Sequence, residues 1–138
     1  MKKMILITTK NEVSVIDYPI EAPGDYMGEL RGFYKAISCD CIEVVRPRHM
    51  SRFLEGCEGL VMVVDEEGLM NRKQINIIGS LFYGTPEHGS PIVGDILLTT
   101  EEIGFDGPAL AGMEEERAKD IEKQLQEFAY YIQRVGVG

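Results

Sequence analysis

Three consecutive residues, Asn71, Arg72 and Lys73, have the chemistry of an anion-binding site. Apolar residues recur behind them at spacings of three and four, which predicts a helix over Arg72–Tyr83. Asn71 is a favourable N-cap, and Gln74 stands three residues later, as a capping box requires. A helix start with free N–H groups and two adjacent cations would attract a phosphate or a carboxylate.

The two cations have an alternative partner within the chain. The first turn of a helix prefers anions, so Arg72 and Lys73 need compensation there. Asp65, Glu66 and Glu67 precede them and could fold back onto them as an ordinary surface pair. These acids follow a buried strand predicted over Leu60–Val64, and Gly68 is predicted to close the turn with a positive φ.

A second basic segment, residues 46–52, holds three arginines and a histidine but no acid. Arg46 and Arg48 are suited to a phosphate or a carboxylate because the guanidinium presents a planar fork of donors. The alternative is a solvated loop or short helix whose arginines pair with neighbouring acids. The sequence therefore suggests a ligand site at Asn71–Lys73 that Arg46, Arg48 or His88 could complete.

Catalytic and metal-binding residues are harder to find. His88 lies in a loop predicted over Gly84–Pro91 and could act as a general base, but no nucleophile is recognisably paired with it. Cys39, Cys41 and Cys57 lack the number and spacing of ligands that a metal site needs, so Cys41 and Cys57 are interpreted as small core residues. We expect no catalytic residue, no metal and no cofactor, and the chain is more consistent with a binding protein than with an enzyme.

Composition limits the class of partner. The chain has 138 residues, 44% hydrophobic and 27% charged, with a formal net charge of −9. This acidity argues against direct binding to nucleic acid, which needs a cationic face, and against an anionic membrane surface. The apolar core of the N-terminal stretch is too short for a signal peptide, so we expect a cytoplasmic protein.

The pattern of predicted strands and helices along the chain indicates an α+β fold. We expect one mixed or antiparallel sheet of about five strands, which must position these residues. Alternating or continuous apolar runs indicate strands, whereas residues 101–112 are interpreted as a long surface loop. The predicted strands cover residues 3–9, 12–18, 41–45, 60–64 and 92–98. The predicted helices cover residues 25–37, 72–83 and 114–134.

The C-terminal stretch, residues 113–135, carries a seam of apolar residues at steps of three and four. The seam is formed by Ala118, Ile121, Leu125, Phe128, Ile132 and Val135. One interpretation is a helix packed on its own sheet; the other is a helix that contacts a protein partner or a second copy. At this length we expect a single domain over residues 1–138.

Several short motifs in order resemble an uncharacterised family described as a domain of unknown function, number 3846. They are Cys41–Val45, Val64–Leu69, Asn71-Arg72 and Ile92–Ile96, and the likeness spans roughly residues 3–107, with the C-terminal helix as an addition. The spacing between Asp65 and Asn71 is shorter than is usual in that family. The resemblance implies a small acidic protein found largely in bacteriophages and plasmids, with no known catalytic residue.

Two functional hypotheses follow. The first is a non-enzymatic accessory or interaction protein of phage or mobile-element type. The second is a small anionic-ligand binding protein or enzyme, for a nucleotide or a phosphate, built around Asn71, Arg72 and Lys73 with Arg46, Arg48 or His88 in reach.

Overall fold

The computed structural model describes residues 2–19, 26–85, 89–104 and 107–135, which contain six strands and three α-helices. The strands are β1 (Lys3–Ile7), β2 (Val13–Asp17), β3 (Ile42–Val45), β4 (Leu60–Asp65), β5 (Ile96–Gly104) and β6 (Gly107–Ala111). The helices are α1 (Tyr26–Ile37), α2 (Ile77–Tyr83) and α3 (Glu115–Val135), with a short 3-10 turn at Met50–Arg52.

All strands pair antiparallel in one sheet of order β2-β1-β5-β4-β3, and β6 pairs with the distal part of β5. This confirms the α+β fold predicted from the sequence, with six strands rather than about five. None of the helices in the described ranges is both long enough and apolar enough to span a bilayer.

The additional strand comes from residues 101–112, where the prediction of a long surface loop was wrong. β5 continues to Gly104 and forms a hairpin with β6, in which Glu101 pairs with Leu110. The Thr100 hydroxyl donates to the carbonyls of Ala111 at 2.8 Å and Gly112 at 3.2 Å, which ties the end of the hairpin to β5. The predicted start of β5 at Ile92 was also wrong, because Gly94 turns the chain with a φ of 80°.

The core lies on both faces of the sheet. β4 is buried along its whole length, so its alternate side chains pack into two separate clusters. One cluster lies under α1 and includes Phe33, Ile37, Met4, Val63 and Leu97. The other lies under α2 and α3 and includes Ile5, Met62, Ile78, Phe82, Leu98, Ile121 and Leu125. Each large aliphatic side chain buried in this way contributes about 1.5 to 3 kcal/mol.

The β2 edge of the sheet is closed by α3. The β1–β2 register turns the backbone groups of Val13 and Val15 away from β1. The Val15 N–H donates to the Glu122 carboxylate at 3.1 Å, and the Gln126 amide donates to the Val13 carbonyl at 3.3 Å. Two side chains of α3 thus satisfy two of the backbone groups that an edge strand normally exposes.

The β3 edge is arranged differently. The Glu66 N–H donates to the Cys41 carbonyl at 3.0 Å, so Cys41, Glu43 and Val45 direct their backbone groups toward β4. Ile42 and Val44 alternate with them and direct theirs outward. In the part of the chain that the structure describes, no strand pairs with this side of β3.

The predicted N-terminus of α2 was wrong. The helix begins at Ile77 instead of Arg72, and its N-cap is Asn76, whose side-chain oxygen accepts from the Gly79 N–H at 2.9 Å. The buried Asn76 amide also donates to the carbonyls of Ile7 and Gly94, both at 3.0 Å. These tertiary bonds favour Asn76 over Asn71, although both residue types are good caps. The predicted helix end was right, because Gly84 adopts the left-handed conformation there.

Candidate functional site

Lys73, which the sequence assigned to a ligand site, is occupied by contacts within the chain. Its ammonium lies 2.7 Å from the carboxylate of Asp65, whose side chain is 1% exposed. The same ammonium donates to the carbonyls of Ser38 at 2.7 Å and Ile37 at 3.2 Å, at the C-terminal end of α1. An ammonium has three N–H donors, and here three acceptors face it. Lys73 is therefore a structural residue, and the acid that compensates it is Asp65.

Asn71 and Arg72 lie in the turn between β4 and α2, and both are exposed. The Asn71 N–H donates to the Glu67 carbonyl at 2.9 Å, and the Arg72 N–H donates to the Leu69 carbonyl at 3.1 Å. Arg72 has a φ of 56°, a conformation that costs a non-glycine residue about 1 kcal/mol. Because no helix starts here, these residues do not offer an anion the free N–H groups that the sequence predicted.

Arg46 and Arg48 line a surface cavity of about 360 Å³. The Arg46 guanidinium lies 2.7 Å from the Glu101 carboxylate, while the Arg48 side chain is exposed. Residues 71–73 do not line this cavity. The two basic segments therefore do not converge on one site. His88, the remaining candidate, lies outside the described residues.

Sequence reasoning missed other residues that line the Arg46–Arg48 cavity, namely Ser51, Cys57 and Glu58. The loop that carries Glu58 is held by Arg117 of α3, which donates to the Gly56 carbonyl at 2.9 Å and the Glu58 carbonyl at 2.6 Å. Only the basic run at residues 46–52 marked this region in the sequence. The contact from α3 spans about sixty residues and leaves no local pattern.

The three cysteines are free and half-buried. The Cys41 thiol donates to the Glu66 carboxylate at 2.7 Å, and this hydrogen bond, with some desolvation, raises the pKa of Cys41 to about 11. Burial raises the pKa of Cys39 as well. Both thiols are therefore poor nucleophiles at neutral pH. Within the described ranges, no three His, Cys, Asp or Glu side chains are grouped so as to hold a metal ion.

A smaller cavity of about 140 Å³ lies beside β3. Its walls include Glu43 and Val45 of β3, Glu66 and Leu69 of the following turn, and Ile92. Glu43 is exposed, and nothing in the sequence indicated a cavity beside it.

The turn after β4 packs closely against the segment that follows α2, at Gly68. A Cβ at this position would come within 2.6 Å of the Val93 side chain. Gly68 was expected to adopt a positive φ. That expectation was wrong, because the φ of Gly68 is not positive. Its missing side chain serves close packing instead.

Residues 66–75, here called the β4–α2 loop, expose three large apolar side chains. Leu69 is 56% exposed, Met70 70% and Ile75 53%. The loop is nevertheless ordered by its own hydrogen bonds, including Glu67 N–H to the Asp65 carboxylate at 2.8 Å and Lys73 N–H to the Gly68 carbonyl at 3.0 Å. The apolar side chains are thus presented on a fixed backbone. The sequence analysis did not identify this feature.

Comparison with known proteins gives a family but no activity. No curated protein and no solved structure matches the chain. A family model described as "Domain of unknown function (DUF3846)" matches residues 1–126, so the match continues beyond the sheet into α3. The chain therefore belongs to the family of the domain of unknown function DUF3846.

Proposed function

We propose that this chain is a non-enzymatic accessory protein that acts by binding another protein. The observation that carries the proposal is the β4–α2 loop, with Leu69, Met70 and Ile75 more than half exposed on a hydrogen-bonded turn. Exposed apolar side chains that cluster in one segment commonly mark a site of interaction. An ordered loop also loses less conformational freedom on binding than a flexible one.

The family resemblance supports a proposal for the setting of this activity. We propose an accessory role in a bacteriophage or another mobile element, carried out in the host cytoplasm by a single domain spanning residues 1–138. A net charge of −9 disfavours direct contact with nucleic acid, so the partner in this proposal is a host or element-encoded protein.

The C-terminal helix is the competing interaction surface. Its apolar seam is used within the chain, since Ala118, Ile121, Leu125 and Ile132 are buried against the sheet. Tyr130 and Tyr131 stay about 60% exposed and are what α3 could offer to a partner or a second copy. The loop is the better candidate because its exposed residues have no role in the core.

A capture experiment with matched variants tests the proposal. Tagged protein is incubated with extract of a bacterial host, and the retained proteins are quantified for the wild type and for Leu69→Ser/Met70→Ser. We expect specific partners to fall about tenfold or more in this variant. Tyr130→Ser/Tyr131→Ser is the control and should retain them. Equal capture by all three proteins would refute the β4–α2 loop as the binding surface. Loss of capture only in the tyrosine variant would assign binding to α3.

A second candidate function is favoured by the Arg46–Arg48 cavity. Its volume of about 360 Å³ lies within the range of small-molecule sites, and two guanidiniums line it. The Arg46 side chain is 66% exposed and its partner Glu101 is 19% exposed. A phosphate that reaches the open side of the guanidinium could therefore compete with the carboxylate for its donors. We therefore propose binding of a nucleotide or phosphate in this cavity as the alternative function. Residues 71–73 do not line the cavity and have no part in this alternative.

Thermal unfolding with and without ligand tests this alternative. Saturating inorganic phosphate or a nucleotide should raise the melting temperature of the wild type by about 5 to 10 °C, because a ligand at about 100 times its Kd stabilises by roughly 2.7 kcal/mol. The rise should vanish in Arg48→Ala and persist in Arg72→Ala, which changes an exposed arginine outside the cavity. No rise with any anion would remove the alternative.

A further inference from the structure

The outer side of β3 presents backbone groups in the geometry that a further strand requires. Ile42 and Val44 direct their N–H and C=O groups away from β4, and no described strand meets them. Val44 is 39% exposed and Glu43 is exposed beside it. An extended segment pairing here would gain main-chain hydrogen bonds, as in β-strand addition to a sheet edge.

The cavity beside β3 has the size of a site for one side chain. Its volume of about 140 Å³ is well below the roughly 300 to 1,000 Å³ of small-molecule pockets. Val45, Leu69 and Ile92 contribute apolar walls, whereas Glu43 and Glu66 contribute carboxylates. A long aliphatic side chain that ends in a cation fits both kinds of wall, because lysine and arginine bury their stems and keep their charge solvated.

The pairing geometry brings these two features together. A residue directly opposite Glu43 in an added strand would lie on the same face of the sheet as Glu43 and Val45, which is the face with the cavity. Its two neighbours would lie on the opposite face, next to Ile42 and Val44. We propose that β3 and its cavity bind an extended segment of a partner protein, with lysine or arginine opposite Glu43 and apolar residues on either side of it.

Charge distinguishes this occupant from a second copy of the chain. Two β3 strands paired around a twofold axis would bring Glu43 close to its own counterpart, and like charges facing each other across strands are destabilising. Glu43 and Glu66 both line the cavity beside β3, so this edge attracts a basic segment instead. The proposal rests on the proposed protein-binding function and specifies the chemistry of the partner.

Fluorescence anisotropy with synthetic peptides tests the proposal. The probe is a labelled peptide with a Thr-Val-Lys-Val-Thr core. The matched control peptide has glutamate in place of lysine. We expect saturable binding of the lysine peptide, about tenfold or more tighter than the glutamate peptide. Glu43→Gln should reduce that discrimination without abolishing binding.

Val44→Pro is the decisive variant, because it removes an outward N–H and no bond to β4. It should weaken the lysine peptide about tenfold, while Val44→Thr, which keeps the N–H, should bind like the wild type. Circular dichroism checks that Val44→Pro is folded. A peptide N-methylated on the residues opposite Ile42 and Val44 makes the same test on the unmodified protein, and it should not bind.

Three results would overturn the proposal: equal binding of the lysine and glutamate peptides, equal binding by the wild type and Val44→Pro, or a dimer that Val44→Pro dissociates. The last would assign the edge to a second copy. If the peptides fail while host proteins are still captured through Leu69 and Met70, only this inference falls. If the peptides bind but no protein is captured, the β4–α2 loop is refuted as a binding surface, whereas the proposal for the β3 edge is supported.

Discussion

The two edges of the sheet show opposite solutions to the same problem. At β2, Glu122 and Gln126 of α3 bind the outward N–H of Val15 and the outward carbonyl of Val13. At β3, Ile42 and Val44 meet no described strand, and the neighbouring loop adds exposed apolar side chains. Unprotected edges invite pairing with other chains, so native proteins usually cover them. The contacts at β2 protect that edge, whereas the open side of β3 agrees with the proposal that it binds a partner segment.

The largest expected effect concerns the ion pair between Lys73 and Asp65, which lies beside the β3 edge. In Lys73→Met the Asp65 carboxylate stays buried without its cation, which should lower the free energy of unfolding by about 3 to 5 kcal/mol. Urea unfolding measures the loss. Arg72→Met, an exposed change at the neighbouring position, should cost about 0.5 kcal/mol or less. A loss under about 1 kcal/mol in Lys73→Met would show that the pair does not hold this side of the sheet.

A matched pair of proline variants compares the two edges directly. Val15→Pro removes an N–H that donates to a carboxylate, whereas Val44→Pro removes one that faces outward. We expect Val15→Pro to be more destabilising by about 1.5 to 3 kcal/mol, the range for hydrogen bonds to charged groups. In a Glu122→Ala background, the loss in free energy of unfolding caused by Val15→Pro should decrease toward the loss caused by Val44→Pro. Equal costs in the wild-type background would mean that α3 does not protect β2.

A smaller effect is expected at the other α3 contact. Gln126→Ala leaves the Val13 carbonyl without its donor and should lower the free energy of unfolding by about 1 kcal/mol. Gln133→Ala, an exposed change further along the same helix, should be close to neutral. Chemical denaturation distinguishes the two, and an equally neutral Gln126→Ala would leave Glu122 as the main protection of the edge.

The smallest effect on stability is expected at the start of the open edge, where a chemical readout is more sensitive. Replacing Glu66 by Gln removes the carboxylate that raises the pKa of Cys41 to about 11, so the pKa should move toward its ordinary 9.0. At pH 8 the rate of alkylation of Cys41 by iodoacetamide should rise about tenfold, because more thiolate forms but each is somewhat less nucleophilic.

Site-resolved mass spectrometry measures this rate, with Cys57 as the internal control. An unchanged rate in Glu66→Gln would show that the hydrogen bond does not control the thiol. The sign of the pKa shift also predicts a pH dependence of stability. A folded pKa above the unfolded one means that the thiol's contribution is fully present below about pH 9 and is lost as the pH rises through about 11.

The fold was predictable from the sequence where a pattern is local. β-Branched runs gave β1, β3 and β4, and apolar stripes gave α1 and α3 to within about two residues. Prediction failed where distant contacts decide. Asn76 and Asn71 are equally good caps by type, and only the carbonyls of Ile7 and Gly94 distinguish them. The β5–β6 hairpin was missed because glycine and acidic residues mask a strand.

The candidate sites were predictable only in part, for the same reason. Arg46 and Arg48 are close in sequence, so their shared position on one cavity followed from the basic run. The contacts of Lys73 could not be foreseen from residues 71–73 alone, because its acceptors come from α1 and from the end of β4. The open edge has no sequence signal at all, since an edge is defined by the strand order of the whole sheet.

The contacts of Lys73 have a mechanical consequence. One ammonium joins the end of α1, on one face of the sheet, to the end of β4 and to the loop that borders β3. Loss of this one ammonium would therefore loosen α1, the end of β4 and the loop that carries Leu69 and Met70 together, although these segments are far apart in the sequence.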